Sequence, residues 1–463
     1  MKKNILSIAL ILLSLPVFSQ TITGSWKGTL NAMGAKLPVV FNIEKSDTIY
    51  TATLDSPEQG AFGIPLSKIT FRNDTLHIEA SALGVAYTGV FATDSIYGTF
   101  SQGGFNFPLT LKKGDKINLA RPQTPTEPFP YRSEEVTFQN KEAKIDLVGT
   151  LTLPNSTDTF PAVILVAGSG PNDRDETILG HKPFLVLADY LTRKGIAVLR
   201  YDKRGVASSQ GVYSTATTDD FAADAQAAFN FLLTRKEIIP TKIGIIGHSE
   251  GGIIAPMVAA SNRHVAFVVL MAAMGVPGDS LMLKQNEALM IAQGVDLASL
   301  NKLQAINAET YRFLKDIEVY TDANRTTLKY KLSSYWENMP IRMRKNVKKE
   351  AFVQGNERTL SSRWFRRFLN IRPTEYLEKV RCPILAISGE KDIQVDAADN
   401  LIAIKNISEK THHNNTTIKV YPNLNHLFQT CETGYPNEYG KIEETIAPEV
   451  LEDIAEWIIK NIP

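Results

Sequence analysis

In the first quarter of the chain, apolar and polar residues alternate as they do in half-buried β-strands. The stretch LHIEA, residues 76–80, is the clearest case, and the Asn-Asp pair at residues 73–74 suits the turn of a hairpin before it. Glycine and aromatic residues punctuate the remaining stretches, as they do in small β-sheets and barrels. We therefore predict a small all-β N-terminal domain over residues 20–118.

The pattern changes after a proline-rich segment. The stretch RPQTPTEPFP, residues 121–130, contains four prolines, which neither a helix nor a sheet accommodates, so residues 119–132 are predicted to be a linker. From residue 133 onward, short apolar runs typical of buried strands alternate with stretches of helical periodicity. Because this alternation requires parallel crossovers, residues 133–463 are predicted to form an α/β domain around a doubly wound, mostly parallel sheet.

One interval of this second region departs from the alternation. Residues 275–378 carry helical periodicity and no run typical of a buried strand. We predict that they form a helical cap, inserted between the sixth and seventh strands of the sheet. Such an insertion would lie over the C-terminal ends of the strands, where open α/β sheets bind their ligands.

The amino-terminal residues have the pattern of a secretory signal peptide. Lys2 and Lys3 precede an apolar stretch, residues 5–17, and Ser19 stands at the expected cleavage point. The apolar stretch is too short to span a bilayer, and no later apolar run reaches the roughly 18 residues of a membrane helix. We expect residues 1–19 to be removed on export, no insertion into a membrane, and a periplasmic or secreted protein.

Composition and charge exclude few classes of function. The 463 residues are 43% hydrophobic and 21% charged, which is typical of a folded protein with a sizeable core. Fifty lysines and arginines balance forty-nine acidic residues, so no overall field attracts nucleic acid, and we expect no nucleic-acid partner. The composition gives no indication of the oligomeric state.

A strand that runs directly into a glycine-flanked serine carries the first chemical signal. Residues 243–246 are β-prone, the cluster Gly-His-Ser-Glu-Gly occupies residues 247–251, and helix-compatible sequence follows at once. When a strand turns into a helix within one or two residues, the corner residue is strained, its neighbours must be small, and its side chain projects from the edge of the sheet. Ser249 is therefore predicted to be a nucleophile at the N-terminus of a helix.

A serine hydroxyl needs a histidine base, which a carboxylate in turn orients. Among the seven histidines, His426 directly follows the last predicted strand, whereas His181 could face the site but precedes the serine in the chain. The order serine, acid, histidine favours His426 as the base. The acid is expected after the seventh strand, where Asp392 follows a tight turn and is our choice, with Asp396 and Glu390 as alternatives.

A tetrahedral intermediate also needs amide donors for its oxyanion. The amide of Glu250, next to the serine, is expected to supply one of them. The other is expected from the glycine-containing loop after the first parallel strand, residues 166–176, where we assign Ser169, with Gly170 next. An ordinary Gly-Ser turn is the alternative interpretation of this loop.

Six motifs occur in the order in which a known family carries them: GSGPNDRDE, YDKRGVASS, GHSEGG, SSRWFRRF, SGEKDIQVDAADN and LNHLFQ. Over about residues 130–463 the chain resembles the α/β-hydrolase carboxylesterases of the EstD type, which are related to serine aminopeptidase-like and acyltransferase C-terminal hydrolases. The resemblance implies an α/β-hydrolase fold and hydrolysis of short-chain acyl esters, as small-molecule substrates, by Ser249, Asp392 and His426, with neither a cofactor nor a metal. The chain departs from such hydrolases at Ala207, which replaces a glycine of the Asp-x-Arg-Gly-x-Gly-x-Ser turn, and its oxyanion loop lacks the His-Gly-Gly-Gly form of lipases.

Arginines in the predicted cap suggest a hypothesis about the substrate. Residues 275–380 contain eighteen lysines and arginines against twelve acidic residues. Arg363 and Arg366 fall on one helix face with Arg367, and our hypothesis is that this face favours substrates with an anionic tail; a solvated cationic face is the alternative. Arg174, in the oxyanion loop, either contacts the substrate or belongs to a satisfied surface cluster.

Two further functions stay open at this point. The first is a serine peptidase or aminopeptidase-like hydrolase of the same fold, although the positive bias of the predicted cap disfavours the acidic site that a substrate amino terminus requires. The second is a non-catalytic protein that binds glycan, lipid or a partner through the β domain. Labelling of the serine by a fluorophosphonate separates an enzyme from such a binding protein.

Overall fold

The chain divides into two compact units, of which the first lies within residues 1–117 and the second is formed mainly by Asn118–Pro463. A computed structural model describes residues 22–32, 35–47, 49–57, 61–102, 105–115, 120–344 and 348–462. The predicted signal peptide, residues 1–19, lies outside the described residues and stays a prediction. Among the helices of the described part, none combines the length and the apolar character that crossing a membrane requires.

Within the described ranges, nine strands build the first unit: β1 (Gly24–Ala32), β2 (Ala35–Ser46), β3 (Ile49–Ser56), β4 (Ala61–Pro65), β5 (Lys68–Arg72), β6 (Thr75–Ala80), β7 (Val85–Ala92), β8 (Ser95–Gln102) and β9 (Phe105–Gly114). They form one sheet in the order β4-β3-β2-β1-β9-β8-β7-β6-β5. β5 and β6 pair antiparallel around Asn73 and Asp74, whose φ values of 49° and 56° suit a tight hairpin turn. The alternation predicted for β6 is confirmed, because Leu76 and Ile78 are fully buried while the residues between them are partly exposed.

The second unit is built around a mixed sheet. Its described strands are β10 (Arg132–Asn140), β11 (Ile145–Leu153), β12 (Phe160–Val166), β13 (Ala197–Tyr201), β14 (Ile238–His248), β15 (Val268–Met271), β16 (Ile384–Gly389) and β17 (Thr416–Tyr421). They lie in the order β10-β11-β13-β12-β14-β15-β16-β17. The pairings of β10 with β11 and of β11 with β13 are antiparallel, and the pairings from β13 to β17 are parallel. The prediction of a mostly parallel sheet is therefore confirmed.

Helices follow most of these strands. Those described are α1 (Pro183–Arg193), α2 (Thr218–Leu232), α3 (Gly251–Ser261), α4 (Gly278–Ala292), α5 (Leu297–Lys315), α6 (Asp322–Asn338), α7 (Ile341–Arg344), α8 (Lys349–Leu360), α9 (Arg363–Leu369), α10 (Thr374–Leu377), α11 (Ala397–Lys410), α12 (Pro436–Tyr439) and α13 (Pro448–Asn461). α1 begins with a proline and is followed by Gly195, whose φ of 90° stops the helix. α2 begins with a capping box between Thr217 and Asp220. These local signals define where the two helices begin and where α1 ends.

Apolar side chains cover both faces of the sheet in the second unit, because successive residues of a strand point to opposite faces. In β12, Ala162 and Ile164 pack in the core that includes residues of α2, α3 and α11, whereas Val163 and Leu165 pack in the core that includes residues of α1 and α13. A strand buried on both faces has a continuous apolar sequence, which is what AVIL shows. This two-sided core holds the C-terminal ends of the parallel strands in a fixed register.

The chain between β15 and β16 folds into the helices α4 to α10, which we call the inserted helices. Some of their apolar residues pack against the sheet domain, since Leu281 and Phe368 share a buried cluster with Ile253 of α3. Others pack among themselves, since Leu303 and Trp336 form the centre of a separate cluster. The interval that lacked a strand pattern in the sequence is therefore helical in its described part.

The proline-rich segment runs along the second unit without forming a helix or a strand. Nη2 of Arg121 donates to the carbonyl oxygens of Leu179 and Gly440 at 2.9 Å each, and Nη1 donates to that of Ile442 at 2.8 Å. The side-chain amide of Gln123 donates to the carbonyl oxygen of Ile446 at 2.6 Å. The described part of the segment is thus fixed to the second unit by hydrogen bonds to backbone atoms.

Candidate active site

Ser249 lies at the corner between β14 and α3. Its φ is 53°, in the left-handed region that residues other than glycine rarely adopt, and its N–H donates to the carbonyl oxygen of Met271 at 2.9 Å. A Cβ at Gly247 would lie 1.9 Å from the carbonyl oxygen of Gly251, and a Cβ at Gly251 would lie 1.9 Å from that of Val166. The corner therefore excludes a side chain at the positions two residues before and two residues after the serine, for the reason that the sequence indicates.

The structure brings Asp392 and His426 together at the ends of β16 and β17. Nδ1 of His426 lies 2.7 Å from Oδ2 of Asp392, and both side chains are buried. The other carboxylate oxygen accepts the N–H of Gln394 at 2.8 Å and that of Val395 at 2.9 Å. A carboxylate held in this way orients the imidazole with its proton on Nδ1, which leaves Nε2 as the basic nitrogen.

The alternative acids have other partners. Asp396 caps α11 by accepting the N–H of Asp399 at 2.9 Å. Glu390 accepts the N–H of Asn423 at 3.2 Å. Neither carboxylate has a hydrogen bond to His426 in the described structure, so the geometry favours Asp392 among the three.

His181, the alternative histidine, is fully buried and holds loops together. Its Nδ1 lies 2.9 Å from the hydroxyl oxygen of Thr445, and its Nε2 lies 3.0 Å from the carbonyl oxygen of Tyr439. Burial, together with the positive charge of Arg121, lowers the pKa of His181 to about 4. The ring is therefore neutral at pH 7 and has a structural role in the loop after β17.

Two neighbouring cavities meet at the serine. The apolar cavity has a volume of about 100 Å³, and its apolar lining comes from Met274, Leu281, Met282, Trp364, Phe368 and Val395. The polar cavity has a volume of about 110 Å³, and its lining includes Asn172, Glu176, His248 and His426. Both cavities are lined by Ser169, Ser249 and Gln394. A carbonyl group bound at Ser249 would therefore adjoin both cavities.

The predicted oxyanion donors lie beside the serine. Ser169 lines both cavities, and a Cβ at Gly168 would lie 3.1 Å from the Cβ of Ser249, so the backbone of this loop closely approaches the hydroxyl-bearing residue. Within the described ranges, the N–H groups of Ser169 and Glu250 have no hydrogen-bond acceptor. Both are therefore free to donate to an anion. Gly170 lies in the same loop with a φ of 105°, but it is not among the described residues that line either cavity.

A buried pair of His248 and Glu176 lies next to the candidate base. Nδ1 of His248 lies 3.0 Å from Oε1 of Glu176, and Nε2 of His248 lies 3.0 Å from the carbonyl oxygen of His426. Burial lowers the pKa of His248, but the Glu176 carboxylate and the His426 carbonyl together raise it by more, so the net shift is upward. Because a carbonyl oxygen can only accept, Nε2 of His248 donates to His426 and holds its backbone. Sequence reasoning missed this pair, although Glu176 is the last of the three acidic residues of GSGPNDRDE.

A second buried pair connects the serine corner with the oxyanion loop and with the inserted helices. Nζ of Lys203 donates to the carbonyl oxygen of Gly168 at 2.5 Å and lies 3.3 Å from Oε2 of Glu250. The other carboxylate oxygen of Glu250 accepts the hydroxyl of Thr218 at 2.8 Å and the indole N–H of Trp364 at 2.6 Å. The Glu250 carboxylate is thus bonded at both oxygens. Lys203 stands in the YDKRGVASS motif, which is the signal that could have drawn attention to it.

The arginines proposed as substrate contacts are not brought to this site. Nη2 of Arg174 lies 2.8 Å from Oδ2 of Asp202, a buried carboxylate. Arg366 donates from Nη1 to the carbonyl oxygen of Ile317 at 2.7 Å, and Arg363 is exposed. Arg363 and Arg366 line a separate cavity of about 300 Å³, and none of the three arginines is among the described residues that line the apolar or the polar cavity. Their geometry fits structural and surface roles.

The turn that departs from the family pattern contains a residue in the left-handed region of backbone conformations. Ala207 has a φ of 45°, in the region that favours glycine. The side chain of Asp202, at the start of the turn, accepts the N–H of Ser208 at 3.2 Å. The turn therefore has a left-handed residue at the position where the family carries its second glycine, despite the alanine.

The chain is similar in sequence to known proteins. Residues 182–430, more than half of the chain, match the family described as serine aminopeptidase, S33. Esterase EstD of Thermotoga maritima is 28% identical over 366 residues, which cover 78% of this chain and 78% of that protein. The resemblance to the EstD type is thereby confirmed, and the family match confirms the α/β-hydrolase fold at the level of a mixed sheet with helices.

Solved structures of esterases are also similar to the chain. An esterase of Pyrococcus furiosus has a TM-score of 0.41 and 16% identity, with 72% of this chain and 94% of that chain covered. Esterase Est1E of Butyrivibrio proteoclasticus, solved with ferulic acid bound, has a TM-score of 0.40 and 17% identity, with 71% of this chain and 99% of that chain covered.

Proposed function

The chain belongs to the serine aminopeptidase S33 family, and from this premise we propose that it is a serine esterase that hydrolyses short-chain acyl esters through an acyl-enzyme on Ser249. The observation that carries the proposal is the 2.7 Å contact between His426 and Asp392, at a cavity that His426 shares with Ser249. The esterase activity named for the EstD relative supports the reaction class.

Acylation begins when Oγ of Ser249 attacks the ester carbonyl carbon and Nε2 of His426 takes the hydroxyl proton. The electron pair of the carbonyl bond moves to its oxygen, and the N–H groups of Glu250 and Ser169 stabilise this oxyanion. Asp392 stabilises the imidazolium that forms. When the intermediate collapses, the bond to the alcohol oxygen breaks, and the leaving alcohol takes the proton from His426.

Deacylation repeats these steps with water in place of the serine hydroxyl. Nε2 of His426 removes a proton from water, whose oxygen attacks the acyl carbon. The bond between that carbon and Oγ of Ser249 then breaks, and His426 returns the proton to the serine. One water is consumed, and a carboxylic acid and an alcohol are released.

The two cavities divide the substrate between them. His426 must protonate the departing alcohol and lines only the polar cavity, so the alcohol occupies the polar cavity and the acyl group occupies the apolar cavity. The apolar cavity has a volume of about 100 Å³. A small cavity with this apolar lining suits short acyl chains, of about two to four carbons.

The charge of the apolar cavity favours esters over substrates with a free amino terminus. In an aminopeptidase substrate, the ammonium group is on the acyl part and would enter this cavity. Among its described lining residues, Glu250 is the one acidic side chain, and Thr218, Trp364 and Lys203 already occupy its carboxylate. An ammonium group would therefore displace existing bonds. We expect p-nitrophenyl butyrate to be hydrolysed with a higher kcat/KM than leucine p-nitroanilide, and the reverse order would favour the peptidase.

The proposal is tested by replacing the nucleophile. Ser249→Ala should lower the kcat for p-nitrophenyl butyrate by about 10⁶-fold, since removal of the nucleophile abolishes the acyl-enzyme. Ser388→Ala is the control, because this serine is buried in β16 and its hydroxyl has no hydrogen-bond partner in the described structure. Ser388→Ala should keep the kcat of the unchanged protein. Retention of activity in Ser249→Ala would rule out the proposed mechanism.

A further inference from the structure

We infer that Lys203 is a positioning residue that orients the oxyanion-binding peptide, an inference that rests on the proposed esterase function. Its side chain is almost fully buried, and Nζ donates to the carbonyl oxygen of Gly168 at 2.5 Å. That carbonyl belongs to the same peptide unit as the free N–H of Ser169. Because the C=O and N–H of a trans peptide point in opposite directions, a cation bound to the oxygen fixes the direction of the N–H.

The charge of Lys203 also strengthens the donor that it orients. In a buried network, a hydrogen bond to a carbonyl oxygen polarises the whole peptide unit, so the N–H of Ser169 becomes a better donor. Negative charge develops on the substrate oxygen only as the tetrahedral intermediate forms. A fixed and polarised N–H therefore stabilises the transition state more than the bound ester. Lys203 is not among the described residues that line either cavity, so it acts through the peptide.

The same ammonium group reaches the second oxyanion donor. Nζ of Lys203 lies 3.3 Å from Oε2 of Glu250, the residue whose N–H is the other free amide. One cation therefore links the loop after β12 to the corner after β14, and the separation of the two donors depends on it.

Other groups hold both the lysine and its peptide. The side-chain amide of Asn172 also donates to the carbonyl oxygen of Gly168, at 2.8 Å. The N–H of Gly168 donates to Oε1 of Glu176 at 2.6 Å. The ring centroid of Phe221 lies 4.4 Å from Nζ of Lys203. The Gly168 carbonyl oxygen therefore has two side-chain donors, of which Lys203 is the charged one, and the bond from the Gly168 N–H to Glu176 holds the preceding peptide unit.

The test compares two variants that differ only at the lysine. Lys203→Met alone would leave the Glu250 carboxylate buried without a cation and would endanger the fold. Glu250→Gln removes that charge and keeps the Lys203–Gly168 bond, so Glu250→Gln is compared with the double variant Lys203→Met/Glu250→Gln.

The double variant should have a kcat for p-nitrophenyl butyrate roughly 10- to 100-fold below that of Glu250→Gln. This loss is smaller than the roughly 10²–10³-fold loss in kcat that follows removal of an oxyanion donor, because the N–H of Ser169 is misoriented but still present. The KM should stay within about threefold, since the ester ground state carries no oxyanion. An alkylboronic acid, whose tetrahedral adduct with Ser249 places an oxygen in the oxyanion site, should bind more weakly by a similar factor.

A neighbouring buried pair provides the control. Nε of Arg204, the residue after Lys203, lies 2.7 Å from Oδ2 of Asp224 on α2, and this pair has no contact with Gly168 or Glu250 among the described residues. Arg204→Met/Asp224→Asn should lower the Tm and leave kcat within about threefold of the unchanged protein, as expected for a purely structural pair.

Three possible outcomes would contradict the inference about Lys203. Equal kcat in Glu250→Gln and in Lys203→Met/Glu250→Gln would overturn the inference and leave the esterase proposal standing. A kcat loss in Arg204→Met/Asp224→Asn as large as that of the lysine variant would also overturn it, because loss of any buried pair would then explain the effect. Full activity in Ser249→Ala would overturn the proposed function and the inference together.

Discussion

Replacing Met282 with alanine is predicted to shift the acyl preference of the protein toward longer chains. Met282 lies on α4, is only partly buried, and lines the apolar cavity of about 100 Å³. The substitution removes three heavy atoms, which at roughly 30 Å³ each makes room for about two to three additional methylene groups. Each methylene that becomes buried contributes about 0.8 kcal/mol, or about fourfold in kcat/KM. An acyl chain two carbons longer than the optimum should therefore gain roughly 15-fold in kcat/KM.

The assay is kcat/KM for p-nitrophenyl esters from acetate to decanoate, measured for the unchanged protein and for Met282→Ala. Met343→Ala is the matched control, because Met343 is also a partly buried methionine of the inserted helices but packs in a different cluster. The control should keep the chain-length profile of the unchanged protein. An unchanged profile in Met282→Ala, or the same shift in Met343→Ala, would refute the assignment of the apolar cavity to the acyl group.

Three further predictions concern stability and the candidate acid. Because burial lowers the folded-state pKa of His181 to about 4, the free energy of unfolding should fall as the pH falls from about 6.5 toward 4, by up to about 3 kcal/mol. Urea titrations of His181→Asn should show a shallower dependence over this window, and equal slopes would contradict the assigned cause. Gly251→Ala should strongly lower the Tm, because its Cβ would lie 1.9 Å from the Val166 carbonyl oxygen. The control Gly355→Ala, at a position with open space around it, should keep or slightly raise the Tm. An unchanged Tm in Gly251→Ala would rule out the corner geometry. Asp392→Asn should lower kcat by about 10⁴-fold, and a kcat within tenfold of the unchanged protein would argue for another acid.

The sequence predicts those parts of the site that follow from local geometry and from strand order. Ser249 is predictable because only small neighbours fit a corner between strand and helix. His426 and Asp392 are predictable because parallel strands bring their C-terminal ends to one edge, whatever their separation along the chain. The same topology places the loop of Ser169 at that edge.

The parts that depend on contacts between distant segments are not predictable in this way. Glu176 meets His248, and Lys203 meets Glu250, across loops whose conformations no local pattern determines. The hypothesis for Arg366 was based on charge and helix periodicity alone. In the structure its guanidinium donates to backbone carbonyl oxygens, a use of charge that periodicity does not reveal.

The central claim is that Ser249 is activated by His426, and covalent labelling tests it most directly. The protein is incubated with a fluorophosphonate, the modified peptide is identified by mass spectrometry, and the labelling rate is compared with that of His426→Ala. We predict modification at Ser249 and a rate at least about 10³-fold lower without the imidazole. Modification at another residue, or equal labelling rates in the two proteins, would contradict the claim.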